Sequence, residues 1–270
     1  MNKLAKRNDG WEVSVQEEGQ IFYGERVILA IGVNNAPHYP SWAQKLKDNE
    51  RMNHIFEWKE EDFPNRGNII VVGGGMTATQ LASNLSKQKD VHSVILIKRH
   101  PFRIHRFDSD PGWLGPKFLA SFHKLTSYRK RREVIQEARY RGSITKDVYL
   151  NVKKQINAGK LHVYNGEIVS AKLEDQGIQL ITSQDEVLSG DEVLLSTGSE
   201  SILPGREWLK DAIDHIGLPC APCGFPIVSD SLEWKNGLFV AGALAELEIG
   251  PVSRNIAGAR KATERIVQTA

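Results

Sequence analysis

Cysteine is nearly missing: the 270 residues hold only Cys220 and Cys223. Two thiols build no disulfide framework, so a packed core must hold the fold. No apolar run approaches the roughly 20 residues of a membrane-spanning helix. The start, Met1-Asn2-Lys3-Leu4-Ala5-Lys6-Arg7-Asn8, turns polar before a secretory apolar segment could form. A cytoplasmic protein with no membrane partner is therefore expected. There is no internal repeat of about 20 to 50 residues, which excludes solenoids and propellers. The eight histidines show no ligand spacing, so no metal site is expected.

What remains is ordinary globular composition, 40% apolar and 25% charged, in a chain long enough for one large or two ordinary domains. The net charge of +2 hides an asymmetry. From Lys98 to Arg141 there are twelve Lys/Arg against four Asp/Glu, a local balance of +8 that leaves −6 for the rest of the chain. A basic segment in an otherwise acidic protein points to an anionic ligand.

Residues 11–15 alternate like a strand, and a Gly-containing turn follows. Residues 20–32 read as a hairpin ending in a buried strand, and Pro37 and Pro40 then stop regular structure. Residues 41–67 read as a polar connector with short turns. Asn68-Ile69-Ile70-Val71-Val72 suits a central parallel strand, and Val91 to Ile97 is a second β-branched run. Residues 98–141 are basic and partly helical. Further strands are expected at 161–169, 171–174, 178–183, 192–198 and 237–242, and a helix from Pro251 through Ile266.

The strongest constellation is the strand, the turn Gly73-Gly74-Gly75-Met76-Thr77-Ala78 and the helix after it, whose Ala78/Ala82 and Leu81/Leu85 share one face. Strand, Gly-x-Gly-x-x-Ala, helix is the context of a dinucleotide fingerprint. Gly73 permits the tight turn, Gly75 lets backbone approach a pyrophosphate, and Ala78 allows close helix–strand packing. The helix start offers N–H groups and the positive dipole end to phosphates. Met76 and Thr77 belong to the same cradle. The end of the second strand selects the cofactor: an NAD site carries an acidic residue there, whereas this chain has Lys98-Arg99-His100. A carboxylate would repel a 2′-phosphate, and Arg99 can grip one bidentately. NADPH is expected over NADH, with Lys98, Arg99 and Arg103 on the phosphate side.

Two segments, Val27–Gly32 and Glu192–Gly198, resemble the Ala-Thr-Gly strands of two-dinucleotide flavoproteins, and Gly237–Ala243 resembles the last strand of their FAD domain. The stretches 102–113 and 246–260 are similar to FAD- and NADPH-dependent oxidoreductases near the N-hydroxylating lysine/ornithine monooxygenases. The resemblance implies an α/β fold, with a Rossmann-like three-layer NAD(P)-binding domain at 66–199 inserted in an incomplete FAD-binding domain at 1–65 and 200–270. It implies FAD contacts around Gly242, Ala243, Gly250 and Pro251, and further cofactor contacts at Gly198 and Asn255. It implies no general base, because the flavin carries the chemistry in this class. The family's Gly-Asp is Gly242-Ala243 here, so side-chain binding of the ribityl chain is not expected. Such proteins open with their own GxGxxG unit for the FAD ADP moiety, and this chain has 31 residues before Gly32 and no such motif. The expectation is a truncated chain, or a partner chain that supplies the unit.

Two readings of function follow. One is a flavin-dependent NADPH oxidoreductase, monooxygenase-like, acting on a small molecule. The other is a non-catalytic NADPH-binding fragment or subunit that awaits a partner for FAD. Among weaker signals, Cys220-Ala221-Pro222-Cys223 has redox spacing, but its Pro/Gly-rich loop favours a coincidental pair. Tyr128-Arg129-Lys130-Arg131-Arg132 stands without a recognition module, so nucleic acid is not expected and a solvated or cleft-lining helix is. Asp108 and Asp110 are expected to pair with Arg103 and Arg106 and shape the nucleotide loop.

Overall fold

The computed structural model describes residues 3–15, 19–33, 36–58, 64 and 66–268. The turn expected after Val15 and parts of the 41–67 connector fall on residues 16–18, 59–63 and 65, which lie outside the described residues. The chain divides into two compact units. One comprises Met1–Ala36, Ser109–Arg139 and Ser201–Ala270; the other comprises Pro37–Asp108 and Tyr140–Glu200 and is therefore an insertion in the first. No helix of the described residues is long and apolar enough to cross a membrane.

The inserted unit is built on a five-stranded sheet, in the spatial order Leu161–Asn165, Val91–Lys98, Gly67–Val72, Glu192–Leu195 and Met52–His54. Every neighbouring pair in it is parallel. Alternation along each strand sends side chains to opposite faces. Ile69, Val71, Val94, Leu96 and Leu194 meet Ala78, Leu81, Ala82 and Leu85 of the Met76–Leu85 helix and Val152 of the Lys146–Asn157 helix. Ile70, Val72, Ile97, Val193 and Leu195 face the other way, onto Ile168, Ile178 and Leu180. These last belong to an antiparallel sheet of Ile168–Glu174, Gly177–Thr182 and Val187–Gly190. The result is three layers, helices, parallel sheet and antiparallel sheet. Each fully buried aliphatic side chain contributes about 1.5–3 kcal/mol.

The unit boundaries differ from breaks at 65/66 and 199/200. The inserted unit starts at Pro37 because Met52–His54 pairs with Glu192–Leu195, and Tyr39 and Ala43 are buried in the same core as Ile70. The helices Pro116–His123 and Tyr128–Ala138 lie in the surrounding unit, where Leu119, Phe122 and Ile135 share a core with Leu238, Leu244 and Leu247. The two Ala-Thr-Gly-like strands do precede the chain's passages between units, after Ala36 and after Glu200.

In the surrounding unit the expected hairpin over 20–32 is not one. Ile21–Gly24 pairs antiparallel with Gly10–Ser14, while Val27–Leu29 pairs parallel with Leu238–Val240, so adjacent strands join different sheets. The last helix starts later than Pro251. Pro251 heads a single 3-10 turn, Pro251–Arg254, and the helix proper is Ile256–Val267, capped by Asn255 Oδ1 accepting the Gly258 N–H at 3.1 Å. Gly258 is pressed so closely on Val252 and Ser253 that its Cβ would sit 2.1 Å from a carbonyl oxygen.

Two outcomes test this packing. Gly73 lies at φ +151, and a Cβ there would stand 2.4 Å from the Ser196 carbonyl oxygen and 2.9 Å from Ala78 Cβ. Gly73→Ala should therefore destabilise the inserted unit by about 3 kcal/mol. Gly75→Ala, with an ordinary φ of −91 and its nearest neighbour, Gly142 Cα, at 3.4 Å, should cost less than about 1 kcal/mol. Urea unfolding of the two variants measures the difference.

His54 is fully buried, and burial lowers its pKa to about 4. Folded protein then keeps it neutral while unfolded chain protonates it below about 6.5. Its contribution is present above that pH and is lost as pH falls toward 4, at about 1.4 kcal/mol per unit. Between pH 7 and 5 the native chain should lose about 2 kcal/mol more than His54→Asn, measured by denaturant titration at each pH.

Candidate nucleotide-binding site

The parallel sheet places loop chemistry at the carboxyl ends of its strands, and the central strand Gly67–Val72 runs straight into Gly73-Gly74-Gly75. Gly73 donates its N–H to Ile97 O at 2.9 Å, which ties the turn to the neighbouring strand. Gly75 is the N-cap of Met76–Leu85 and offers no side-chain cap, and no acidic residue occupies the first turn. Thr79 Oγ1 donates to Gly75 O at 2.6 Å and fixes the turn's entry into the helix. Ala78 is fully buried, Met76 is half-buried and Thr77 is exposed. Gly142 lies opposite Gly75, and the short parallel ribbon of Arg103–Ile104 with Ser143–Ile144 continues from it. The structure thus brings Gly75 and the Gly142–Ser143 corner together, and Arg103 is the strand partner of Ser143.

The adjacent cations Lys98 and Arg99 separate. Lys98 is 4% exposed; its Nζ donates to His100 O at 2.9 Å and to Asn165 Oδ1 and lies 4.2 Å from the Phe102 ring centroid. Burial lowers its pKa. Arg99 is exposed at the strand's end, beside the turn's own strand. Arg103 is exposed and donates to Arg141 O at 3.3 Å; the Arg106 guanidinium lies over the Phe107 ring. Asp110 does not serve the expected loop ion pair. Its Oδ1 accepts the Gly112 N–H at 2.7 Å and caps Pro111–Leu114, past the point where the chain leaves the inserted unit.

Sequence reading missed two buried polar groups at the carboxyl ends of neighbouring strands. His54 closes Met52–His54, its Nδ1 accepting the Phe56 N–H at 3.2 Å, and its Nε2 has no hydrogen-bond partner among the described residues. Ser196, whose carbonyl crowds Gly73, leaves its Oγ buried without a partner among them. His54 belongs to no motif, and Ser196, although inside the Ala-Thr-Gly-like segment Glu192–Gly198, is marked there for its backbone and not for a buried hydroxyl. Gly198, at φ +85, accepts the His38 N–H through its carbonyl at 2.9 Å, at the end of the inserted unit.

In the surrounding unit, Gly242 is half-buried at φ +63 with open space where a Cβ would be, whereas Ala243, Gly250 and Pro251 are buried. Asn255 caps the final helix, whose first residue, Ile256, is 90% exposed. The segment is anchored by Glu246, 1% exposed between Arg132 and Arg254. Arg254 grips it with Nε at 2.6 Å and NH2 at 2.9 Å. Arg131 is 2.6 Å from Glu248, and Arg265 pairs with the same carboxylate at 3.3 Å. Burial would raise the Glu246 pKa, but the two guanidiniums outweigh it and hold the carboxyl below its usual range. The Tyr128–Ala138 helix is therefore not simply solvated: Arg129 is, while Arg131 and Arg132 face inward on these carboxylates.

The residues present fit a dinucleotide phosphate in the inserted unit: a cradle that a side chain at Gly75 would fill, uncapped N–H groups and an exposed arginine. The fold is shared with solved two-dinucleotide flavoproteins at low identity. The FAD-bound cadaverine monooxygenase DfoA of Erwinia amylovora aligns over 99% of this chain and 67% of its own, at 16% identity and TM-score 0.74. Ornithine hydroxylase PvdA of Pseudomonas aeruginosa gives 99%, 68%, 16% and 0.75. L-lysine 6-monooxygenase of Pseudomonas syringae gives 99%, 68%, 18% and 0.73. Among curated relatives, the uncharacterized oxidoreductase CzcO of Bacillus subtilis is 34% identical over 65 residues, 24% of this chain and 19% of that protein. A CzcO-like oxidoreductase of Geobacillus kaustophilus is 28% identical over 89 residues, 30% of this chain and 26% of that protein. These matches span only about a fifth to a quarter of the curated relatives' length. The family profile is far broader and matches residues 2–198, so the chain belongs to the L-lysine 6-monooxygenase/L-ornithine 5-monooxygenase family.

Proposed function

We propose that this chain is the NADPH-binding and partial FAD-binding portion of a flavin-dependent monooxygenase that acts on a small amine. The observation that carries the reading is the Gly73–Ala78 turn on the central parallel strand, with exposed Arg99 at the end of the next strand. The pyrophosphate of NADPH would lie on the N–H groups of Met76, Thr77 and Ala78, where the helix dipole and hydrogen-bond donors act on the same anion. Arg99 and Arg103 would hold the 2′-phosphate side, and buried Lys98 would position the loop through His100 and Asn165. Gly242 and the segment 250–256 would form one wall of the flavin site. When bound, the two nucleotides would supply hydride transfer and the reduction of oxygen. The choice of an amine rests on the family and on the lysine, ornithine and cadaverine enzymes that share the fold. Use of NADPH supports a cytoplasmic setting.

A second reading, in which a partner chain completes the FAD site, is favoured by exposed apolar residues on edge strands. Phe22 and Tyr23 are 54% and 70% exposed on Ile21–Gly24, and Ile28 is 53% exposed on Val27–Leu29. Surface of that kind at a sheet edge calls for cover. Flavin content per chain after gel filtration decides between the readings. An ADP-binding unit of the family that restores stoichiometric FAD only when fused to these 270 residues supports the first, and one that restores it as a separate chain supports the second. Stoichiometric FAD on these residues alone would overturn both.

Gly75→Val should keep the far-ultraviolet circular dichroism spectrum and lose NADPH binding, because the side chain occupies the pyrophosphate's place. Unchanged affinity would make Gly75 a turn residue only. Arg99→Asp should weaken NADPH by about 1.4 kcal/mol or more, roughly tenfold, and shift preference toward NADH. Titration of both nucleotides against both proteins measures the shift, and an unaltered preference would remove Arg99 from the site.

A further inference from the structure

The pair Cys220 and Cys223 lies in the surrounding unit, in a short antiparallel corner. Ile227 N donates to Pro219 O at 2.9 Å, Ala221 N donates to Phe225 O at 2.9 Å, and Cys220 bridges Pro226. Gly224 N donates to Ala221 O at 2.8 Å and closes a tight turn that carries Pro222 and Cys223 at its tip. Both thiols are unpaired; Cys223 is exposed and Cys220 half-buried. The corner is fixed underneath by Trp234, which donates Nε1–H to Pro219 O at 2.8 Å, and by buried Phe225.

A third group makes the pair more than a spacing coincidence. Arg132 is stacked over Phe225 with its guanidinium 4.0 Å from the ring centroid, and its NH2 donates to Cys223 Sγ at 3.7 Å. Arg132 cannot swing away, because its NH1 is held by buried Glu246. A fixed guanidinium donor holds the exposed sulfur in one orientation and can hydrogen-bond the negative charge that the sulfur carries as it attacks. Cys220 sits in different surroundings: burial, then the charge of Cys223, then Asp214 raise its pKa and keep it a thiol. One reachable sulfur with a cation, and one sheltered thiol three residues before it, are the parts of an attacking and a resolving cysteine.

We propose that Cys220 and Cys223 form a redox-active dithiol that peroxides convert to a disulfide, with Cys223 attacking and Cys220 resolving. The thiolate of Cys223 attacks one peroxide oxygen and the O–O bond breaks. With hydrogen peroxide this leaves a sulfenic acid on Cys223 and releases hydroxide. The Cys220 sulfur then attacks the sulfenyl sulfur; its S–H proton goes to the departing hydroxyl, which leaves as water. Two electrons pass from the two sulfurs to peroxide, and one S–S bond replaces the S–H and the thiolate. Arg132 serves as a positioning residue for the sulfur that reacts. The proposal rests on the surrounding unit alone and does not depend on the nucleotide reading.

The test treats the reduced full chain with hydrogen peroxide and follows intact mass, thiol titre and disulfide mapping. The expected result is loss of both thiols in step, a mass lower by two hydrogens, a Cys220–Cys223 disulfide and reversal by dithiothreitol. In Cys220→Ser, a dimedone adduct should appear on Cys223; in Cys223→Ser, Cys220 should react at least tenfold more slowly. Arg132→Lys keeps a cation for Glu246 but loses the fork, and its Cys223 should oxidise several-fold more slowly while circular dichroism is unchanged. Thiols lost independently without an intramolecular disulfide, faster reaction at Cys220, or an Arg132→Lys rate equal to that of the native chain in a folded protein would each overturn the assignment.

Discussion

The inserted unit depends on one close approach of backbone to backbone. The Ser196 carbonyl presses on Gly73 so tightly that a Cβ would lie 2.4 Å from its oxygen. The two residues follow neighbouring strands, Glu192–Leu195 and Gly67–Val72, whose parallel register pairs Leu195 with Val72. Once that register is fixed, the chain after Val72 has no room for a side chain and must turn at a φ open mainly to glycine. Ala78 then drops against the turn, which sets the phase of the Met76–Leu85 helix and delivers Leu81, Ala82 and Leu85 to the core. Glycine turn and hydrophobic core are consequences of the same constraint.

The surrounding unit is organised by a buried charge instead. Glu246 is removed from water between Arg132 and Arg254, and Glu248, partly buried, pairs with Arg131 and Arg265. Such pairs add little net stability over apolar packing, but removing one partner strands a buried charge at about 3–5 kcal/mol. They therefore specify geometry: the 246–254 segment can dock only where the Tyr128–Ala138 helix presents two inward arginines. That requirement explains why a stretch separated by more than 100 residues from its carboxylates shares their unit.

The central fold was legible because its signals are local. A short β-branched run, a glycine turn and helical i,i+4 pairing are printed consecutively from Asn68 to Leu85. Long-range pairing was not. Val27–Leu29 continues an apparent hairpin but pairs with Leu238–Val240, more than 200 residues on, and no local pattern carries that choice. The short edge strand Met52–His54 reads as connector because three residues show too little alternation, and its membership is decided by Glu192–Leu195. The late helix start at Ile256 follows from Asn255 acting as a cap, which Pro251, a good first-turn residue, had concealed. At the candidate site, the glycine turn and the basic strand end are patterns the sequence displays, while His54 and the Ser196 hydroxyl stand out only through burial.

The basic stretch from Lys98 to Arg141 shows how composition has to be divided before it is interpreted. Arg131 and Arg132 are spent on Glu248 and Glu246, and Lys98 is folded under Phe102. Their charges are answered inside the protein and add little to the field met by a ligand. The cations of this stretch that remain exposed in the inserted unit are Arg99, Arg103 and Arg106, on the segment that follows the second strand of the sheet, and Arg141 beside Gly142, opposite Gly75. The exposed cations of this stretch are guanidiniums, which match phosphate oxygens in pairs. Burying Lys98 has a further effect: hydrogen bonds to His100 and Asn165 hold the bend on which Arg99 sits. An exposed arginine thus projects from a fixed base, so ordering it would cost the entropy of one side chain.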